Sequence, residues 1–206
     1  MQSPTPRRPV CAACQRAQSA CICAWVTPVD HSVDVLILQH PLEVHHAKNS
    51  AGLLHRCLPG SRLLVGESFD ASTLRAALPA DRYVVLLYPA TASVGHRVAP
   101  PLEPQRLRDP LQVGLVVLDG TWRKSRKMLH CNPLLQSLPR LALTDVAASS
   151  YVIRRAHQPG QLSTFEATCA ALAQLEGDAQ KYLPLQQAFQ GFVMQQAARN
   201  PAHANA

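Results

Sequence analysis

Four of the seven cysteines in this 206-residue chain, Cys11, Cys14, Cys21 and Cys23, fall within thirteen residues as C-x2-C-x6-C-x-C. Four thiolates converging in so short a segment suit a tetrahedral site, where metal binding supplies the folding energy that a mini-domain cannot draw from a core. Structural zinc is the leading assignment. The second pair is C-x-C rather than the commoner C-x2-C, and iron–sulfur clusters also take four cysteines. Another metal, and free or redox thiols, therefore stand as alternatives. Cys57, Cys131 and Cys169 are scattered and suit small core positions better than ligation.

A second stretch with chemistry in it is VGLVVLDGTWRKSRKMLHC, residues 113–131. Its first six residues form the apolar, β-branched run of a strand buried on both faces. Asp119-Gly120 ends that run. Beyond it Trp122, Ser125, Met128 and Leu129 share one helical face, and Arg123, Arg126, Lys127 and His130 share another. Ligands in open α/β sheets sit outside the carboxyl ends of the strands, so Asp119 stands where small-molecule sites are built. Partial burial beside an aromatic would raise a carboxyl pKa toward the range useful to a general base. The plainer reading is a turn aspartate followed by a solvated basic helix.

Two more strand ends stop at prolines: Gln39-His40-Pro41-Leu42-Glu43, where Glu43 can serve a helix dipole, and Leu87-Tyr88-Pro89-Ala90, followed by a Thr/Ser/Gly loop at 91–95. Nearer the C-terminus, YVIRRAHQPGQLSTFEATCAAL combines a strand, a basic loop and a capped helix. Ser163 and Glu166 have capping-box spacing, which suffices to explain them. The helix end behind them can also attract a carboxylate or phosphate, with Arg154, Arg155 and His157 just before it.

These residues need elements to hold them. Strands are expected over 33–38, 62–65, 83–88 and 115–118, with shorter ones at 141–143 and 151–154. Helices are expected over 44–57, 71–78, 121–130, 164–176 and 181–197. That alternation argues for an α/β fold with a mainly parallel sheet covered by helices. Residues 1–10 suit a disordered tail, 11–30 a small four-cysteine zinc module, 31–198 the main domain and 199–206 a frayed end. Residues 99–110 suit a long surface loop.

The 47% hydrophobic content is that of a globular chain, and no apolar run approaches the ~20 residues of a membrane span. Charge at the N-terminus is followed by no apolar segment, so no secretory signal is expected and the cytoplasm is the expected compartment. Twenty Lys+Arg against thirteen Asp+Glu give a net charge of +7, which points to a polyanionic partner. Lysine appears only at Lys48, Lys124, Lys127 and Lys181, and arginine suits bidentate phosphate contacts. A GC-rich genome that writes Arg for Lys would leave the same bias.

The blocks CAACQRAQSACIC, QHPLEVHHAKNSAGLL, YPA at Tyr88–Ala90, LDGTW at Leu118–Trp122 and YVIRRAHQPGQLSTFEA occur in that order. Together they resemble the DTW-domain family of aminocarboxypropyltransferases, from Cys11 to about Leu172. Asn49-Ser50 stands where members usually have Asn-Thr, and the loop 156–161 matches loosely.

The resemblance implies a SPOUT-like fold with a C-terminal trefoil knot that cradles S-adenosylmethionine. It implies transfer of the aminocarboxypropyl arm to N3 of a variable-loop uridine in tRNA, and a ribosomal-RNA branch of the family exists. On this reading Asp119, Thr121 and Trp122 are catalytic, with Asp119 either taking the N3 proton or holding the donor's ammonium or orienting the cofactor. Trp122 stacks on a base or on adenine, or fills core. Leu87, Tyr88, Pro89, Leu118, Ser163 and Thr164 form the cofactor pocket, with the Ser163 and Thr164 amides near the donor carboxylate. Arg123, Lys124, Arg126, Lys127, Arg154 and Arg155 meet tRNA phosphates, Cys11, Cys14, Cys21 and Cys23 hold zinc, and a monomer is expected. A SPOUT RNA methyltransferase and a non-catalytic zinc-dependent RNA-binding protein are the alternatives.

Overall fold

Val113–Asp119 is buried at all seven positions, as an unbroken apolar run requires of a strand covered on both faces. It is β4 in the computed structural model, which describes residues 9–44, 46, 48–90, 98–143 and 162–199. Among them the chain runs β1 (Asp34–Gln39), α1 (Ala51–Cys57), β2 (Arg62–Val65), α2 (Ala71–Ala77) and β3 (Tyr83–Leu87). It continues through β4, α3 (Trp122–Cys131), α4 (Pro133–Gln136), β5 (Arg140–Leu141), α5 (Thr164–Glu176) and α6 (Leu183–Ala198). The strands form one sheet in the order β2-β1-β4-β3-β5, every pair parallel.

Alternation along the strands sorts their side chains into two cores. Val35, Ile37, Val85, Leu115 and Val117 pack with Leu53, Leu54, Phe165, Leu172, Phe189 and Phe192, the covering provided by α1, α5 and α6. Leu36, Leu38, Leu86, Val116 and Leu118 face Leu74, Met128, Leu129 and Leu135 under α2, α3 and α4. Each fully buried leucine contributes roughly 1.5–3 kcal/mol of transfer free energy. The layering fixes the height of the strand ends. Register pairs Gln39 with Asp119, so β1 and β4 finish side by side at the middle of the sheet.

Most expected elements form within a residue or two, and α5 spans the expected 164–176. The expected helix over 44–57 does not: Pro41–Glu43 makes a single 3-10 turn and the helix begins only at Ala51. Leu42 and Val44 are exposed, and the Asn49 side chain bonds the carbonyl of Glu43. The short strand expected at 141–143 lies at Arg140–Leu141. The expected loop 99–110 contains a 3-10 turn at Pro104–Leu107. The strand expected at 151–154 falls within 144–161, outside the described residues.

Candidate active site and metal centre

Asp119 ends β4, and Gly120 lets the chain turn directly into α3: a Cβ on Gly120 would sit 3.1 Å from Lys124 Cβ and 3.6 Å from His40 Cβ. Thr121 caps the helix, its hydroxyl accepting from the Lys124 amide at 3.4 Å. Asp119 is 6% exposed. Two amide side chains converge on its Oδ2. Gln39 Nε2 donates at 2.8 Å from the paired end of β1, and Asn49 Nδ2 donates at 3.4 Å from just before α1. Asn49 is itself fixed, since Nδ2 also donates to the Glu43 carbonyl at 2.7 Å and Oδ1 accepts from the Gly52 amide at 3.3 Å. The His40 amide donates to the Asp119 carbonyl at 2.9 Å, closing the strand ends together.

At the start of the helix stands Trp122, 48% exposed, with its ring edge-on to Tyr88 at 5.8 Å and 74°. Tyr88 is buried where β3 ends, and that burial pushes its phenol up despite a hydrogen bond with Ser125 and the nearby Arg140 and Arg126. Leu118 and Tyr88 are buried and Leu87 and Pro89 half-buried, so these four expected pocket residues gather at the carboxyl ends of adjacent strands.

At the start of α5 the capping box is complete: Ser163 Oγ accepts from the Glu166 amide at 3.2 Å, and the Ser163 amide donates to Glu166 Oε2 at 2.9 Å. The Ser163 amide, expected near the donor carboxylate, is thus engaged within the helix's own cap.

The basic helix divides in two. Lys124 pairs with Glu43 at 2.7 Å and Lys127 with Glu67 at 2.8 Å, which ties α3 to the loops after β1 and β2. His40 joins the second pair. Its Nδ1 accepts from the Leu42 amide, so Nε2 carries the proton given to Glu67 at 2.9 Å. Lys127 and His40 together hold the Glu67 carboxyl below the usual range. Arg123 and Arg126 are exposed and have no carboxylate partner among the described residues. Arg154 and Arg155 lie outside the described residues.

The four cysteines meet. Their sulfurs lie within 4.8 Å of one another, and the Cys11–Cys23 and Cys14–Cys21 pairs are each 3.8 Å apart. A zinc–sulfur bond of about 2.3 Å at a tetrahedral centre requires sulfurs about 3.8 Å apart, so the donor set fits that ion. The turn is local: the Gln15 amide donates to the Cys11 carbonyl at 2.9 Å, with Gln15 in the left-handed region at φ 58°. Backbone amides of Cys14 and Ala13 draw the Cys11 thiol down to about 6, while the Cys21 sulfur pushes Cys23 up to about 12. Successive deprotonations of such a cluster grow harder without a cation among the sulfurs.

This segment is docked firmly onto the domain. Ile22 is buried in the core with Trp25 packed against it, and a Cβ on Gly191 would meet the Trp25 ring at 2.1 Å. Gln195 accepts from Trp25 Nε1 at 2.9 Å and donates to the Cys21 carbonyl at 3.1 Å. Arg16 Nη2 donates to the Asn49 carbonyl at 2.7 Å, so the cysteine segment touches the residue that steadies Asp119.

Asp119, Trp122, Tyr88 and the cysteines were legible as candidates, whereas Gln39, Asn49 and the Glu43 and Glu67 ion pairs were not. A family model described as DTW domain matches residues 8–197. The mouse (Mus musculus) tRNA-uridine aminocarboxypropyltransferase 2 is 32% identical over 177 residues, 82% of this chain and 57% of the mouse protein. Its namesake in Drosophila melanogaster is 32% identical over 181 residues, 84% of this chain and 69% of the relative. The tRNA-uridine aminocarboxypropyltransferase A of Arabidopsis thaliana is 26% identical over 200 residues, 85% of this chain and 75% of the relative. The chain thus spans less than three fifths of the mouse protein it matches. No solved structure matches.

Proposed function

The chain belongs to the DTW-domain family, and from that premise we propose that it transfers the 3-amino-3-carboxypropyl group of S-adenosylmethionine to N3 of a variable-loop uridine in tRNA. The observation that carries the reading is Asp119: a buried carboxylate held by two amides at the middle of the sheet, three residues before a half-exposed tryptophan. The sulfonium of the bound donor makes the arm's methylene electrophilic, and the adenosine leaves as methylthioadenosine.

The nucleophile, uridine N3, carries a proton at neutral pH. Asp119 takes that proton as the N3–C bond forms and the C–S bond breaks. Gln39 and Asn49 keep the carboxylate from swinging away, which matters because small misplacements of a base cost large factors in rate. Trp122 offers the flat surface on which an unstacked base rests. Leu87, Tyr88, Pro89 and Leu118, with Ser163 and Thr164, line the donor site in a SPOUT-like fold with a C-terminal trefoil knot. Arg123 and Arg126, with Arg154 and Arg155, meet tRNA phosphates, while Lys124 and Lys127 chiefly brace α3.

The four-cysteine segment is a structural zinc module, because a site filled by four thiolates has no open position for substrate. The protein acts as a cytoplasmic monomer in this reading.

The reading is tested by incubating the protein with unmodified tRNA and S-adenosylmethionine labelled either in the carboxyl group or in the methyl. Carboxyl label alone in the tRNA is expected. Methyl label alone would make the protein a methyltransferase, and neither label would refute tRNA transfer.

A further inference from the structure

The sheet's edge strand β5 carries a buried charge. Arg140 is 7% exposed, and its Nε and Nη1 are buried with no hydrogen-bond partner. No carboxylate pairs with it among the described residues, where the acids in ion pairs are Asp34, Glu43, Glu67, Glu103 and Glu176. Its one described partner is the face of Tyr88, with the guanidinium 5.1 Å from the ring centroid.

A buried cation with no counter-ion among the described residues is costly, and a bound anion would offset the cost. Arg140 is in register with Leu86, so it lies close to the end of β3, and through Tyr88 it borders Trp122. The unpaired donors therefore sit at the edge of the candidate active site.

Building on the proposed transfer reaction, we infer that Arg140 binds the carboxylate of the donor's amino-acid arm and is what commits the site to moving that arm. A guanidinium matches a carboxylate in charge and planarity. The ligand must be small, because Arg140 is nearly enclosed, whereas a phosphodiester arrives on a bulky chain and suits the exposed Arg123 and Arg126 better. The start of α5 is a poorer place for that carboxylate. Glu166 already puts a negative charge there and occupies the Ser163 amide. With the arm gripped at its carboxylate and the adenosine held elsewhere, the methylene between them is presented to the nucleophile.

The test is calorimetric binding of S-adenosylmethionine, decarboxylated S-adenosylmethionine and methylthioadenosine to the zinc-loaded wild type, Arg140→Met and Arg140→Lys. Wild type should favour the carboxylated donor by about ten- to hundredfold, the usual size of a charge-assisted contact. Arg140→Met should abolish that preference and leave methylthioadenosine binding, which reports the folded pocket, unchanged. Arg140→Lys should retain part of the preference. No preference in wild type, or full preference in Arg140→Met, overturns the inference. A variant that loses tRNA affinity and salt dependence but keeps the donor preference also overturns it, assigning Arg140 to a phosphate. Failure of wild type to bind any of the three would instead strike the transfer reading itself.

Discussion

The cysteine cluster and the Asp119 site both gather reactive side chains to within hydrogen-bonding distance, but by opposite means. The cluster draws four ligands from thirteen consecutive residues, and its shape comes from a local turn with one residue in the left-handed region. The Asp119 site draws Gln39 across 80 positions and Asn49 across 70, and its shape comes from the register of β1 on β4. A metal can order the first, because ligand spacing within one segment is enough. Only a folded sheet can order the second. Among the described residues a hydrogen bond from Arg16 to the Asn49 carbonyl links the two regions, and Trp25 packs the cysteine segment onto α6. The cysteine segment is thus packed into the domain's core through Ile22 and touches the Asp119 site through Asn49.

Stripping the metal is the harshest way to break this comparison. Chelation should release one zinc per chain and lower the melting temperature by roughly 10 °C, with the sheet surviving as judged by circular dichroism; an unchanged melt would remove the cluster as a metal site. Gly191→Ala should cost about 1–3 kcal/mol in a urea titration by displacing Trp25, while zinc content stays at one. Arg16→Ala removes the link itself. It should lower transfer a few-fold with zinc content intact, since a single hydrogen bond is worth about 1 kcal/mol, and an unaltered rate would mean the regions are uncoupled.

The smallest effect belongs to Glu67. Its carboxyl is depressed in the folded protein, so its contribution to stability is present above the unfolded-state carboxyl pKa and is lost as pH falls through the lower folded value. Glu67→Gln should thus be slightly less stable than wild type at neutral pH, and the difference should vanish in acid. A difference independent of pH would assign Glu67 a packing role.

The same contrast explains what could be read from the chain. The cysteine pattern, the apolar run ending in Asp119 and the Ser163/Glu166 cap are local signals, and each appears where its spacing places it. Gln39 and Asn49 carry no such signal, because an amide becomes informative only when another strand brings a carboxylate to it. The early helix start at 44 failed for a related reason: Asn49 spends its side chain on Glu43 and Asp119. Arg140 sits in a two-residue strand too short for any periodicity. The one hint is an arginine set among Leu138, Pro139 and Leu141, where a charge is out of place.

Asp119 is the centre of the account, and Asp119→Asn is its most direct test because it keeps the side chain's shape. Single-turnover transfer should fall by about 10²–10⁴-fold with tRNA affinity and melting temperature near wild type, and part of the lost rate should return at high pH as hydroxide removes the N3 proton. A near-normal rate would contradict the account, as would a lost rate with no recovery at high pH, which would make Asp119 a group that holds the donor.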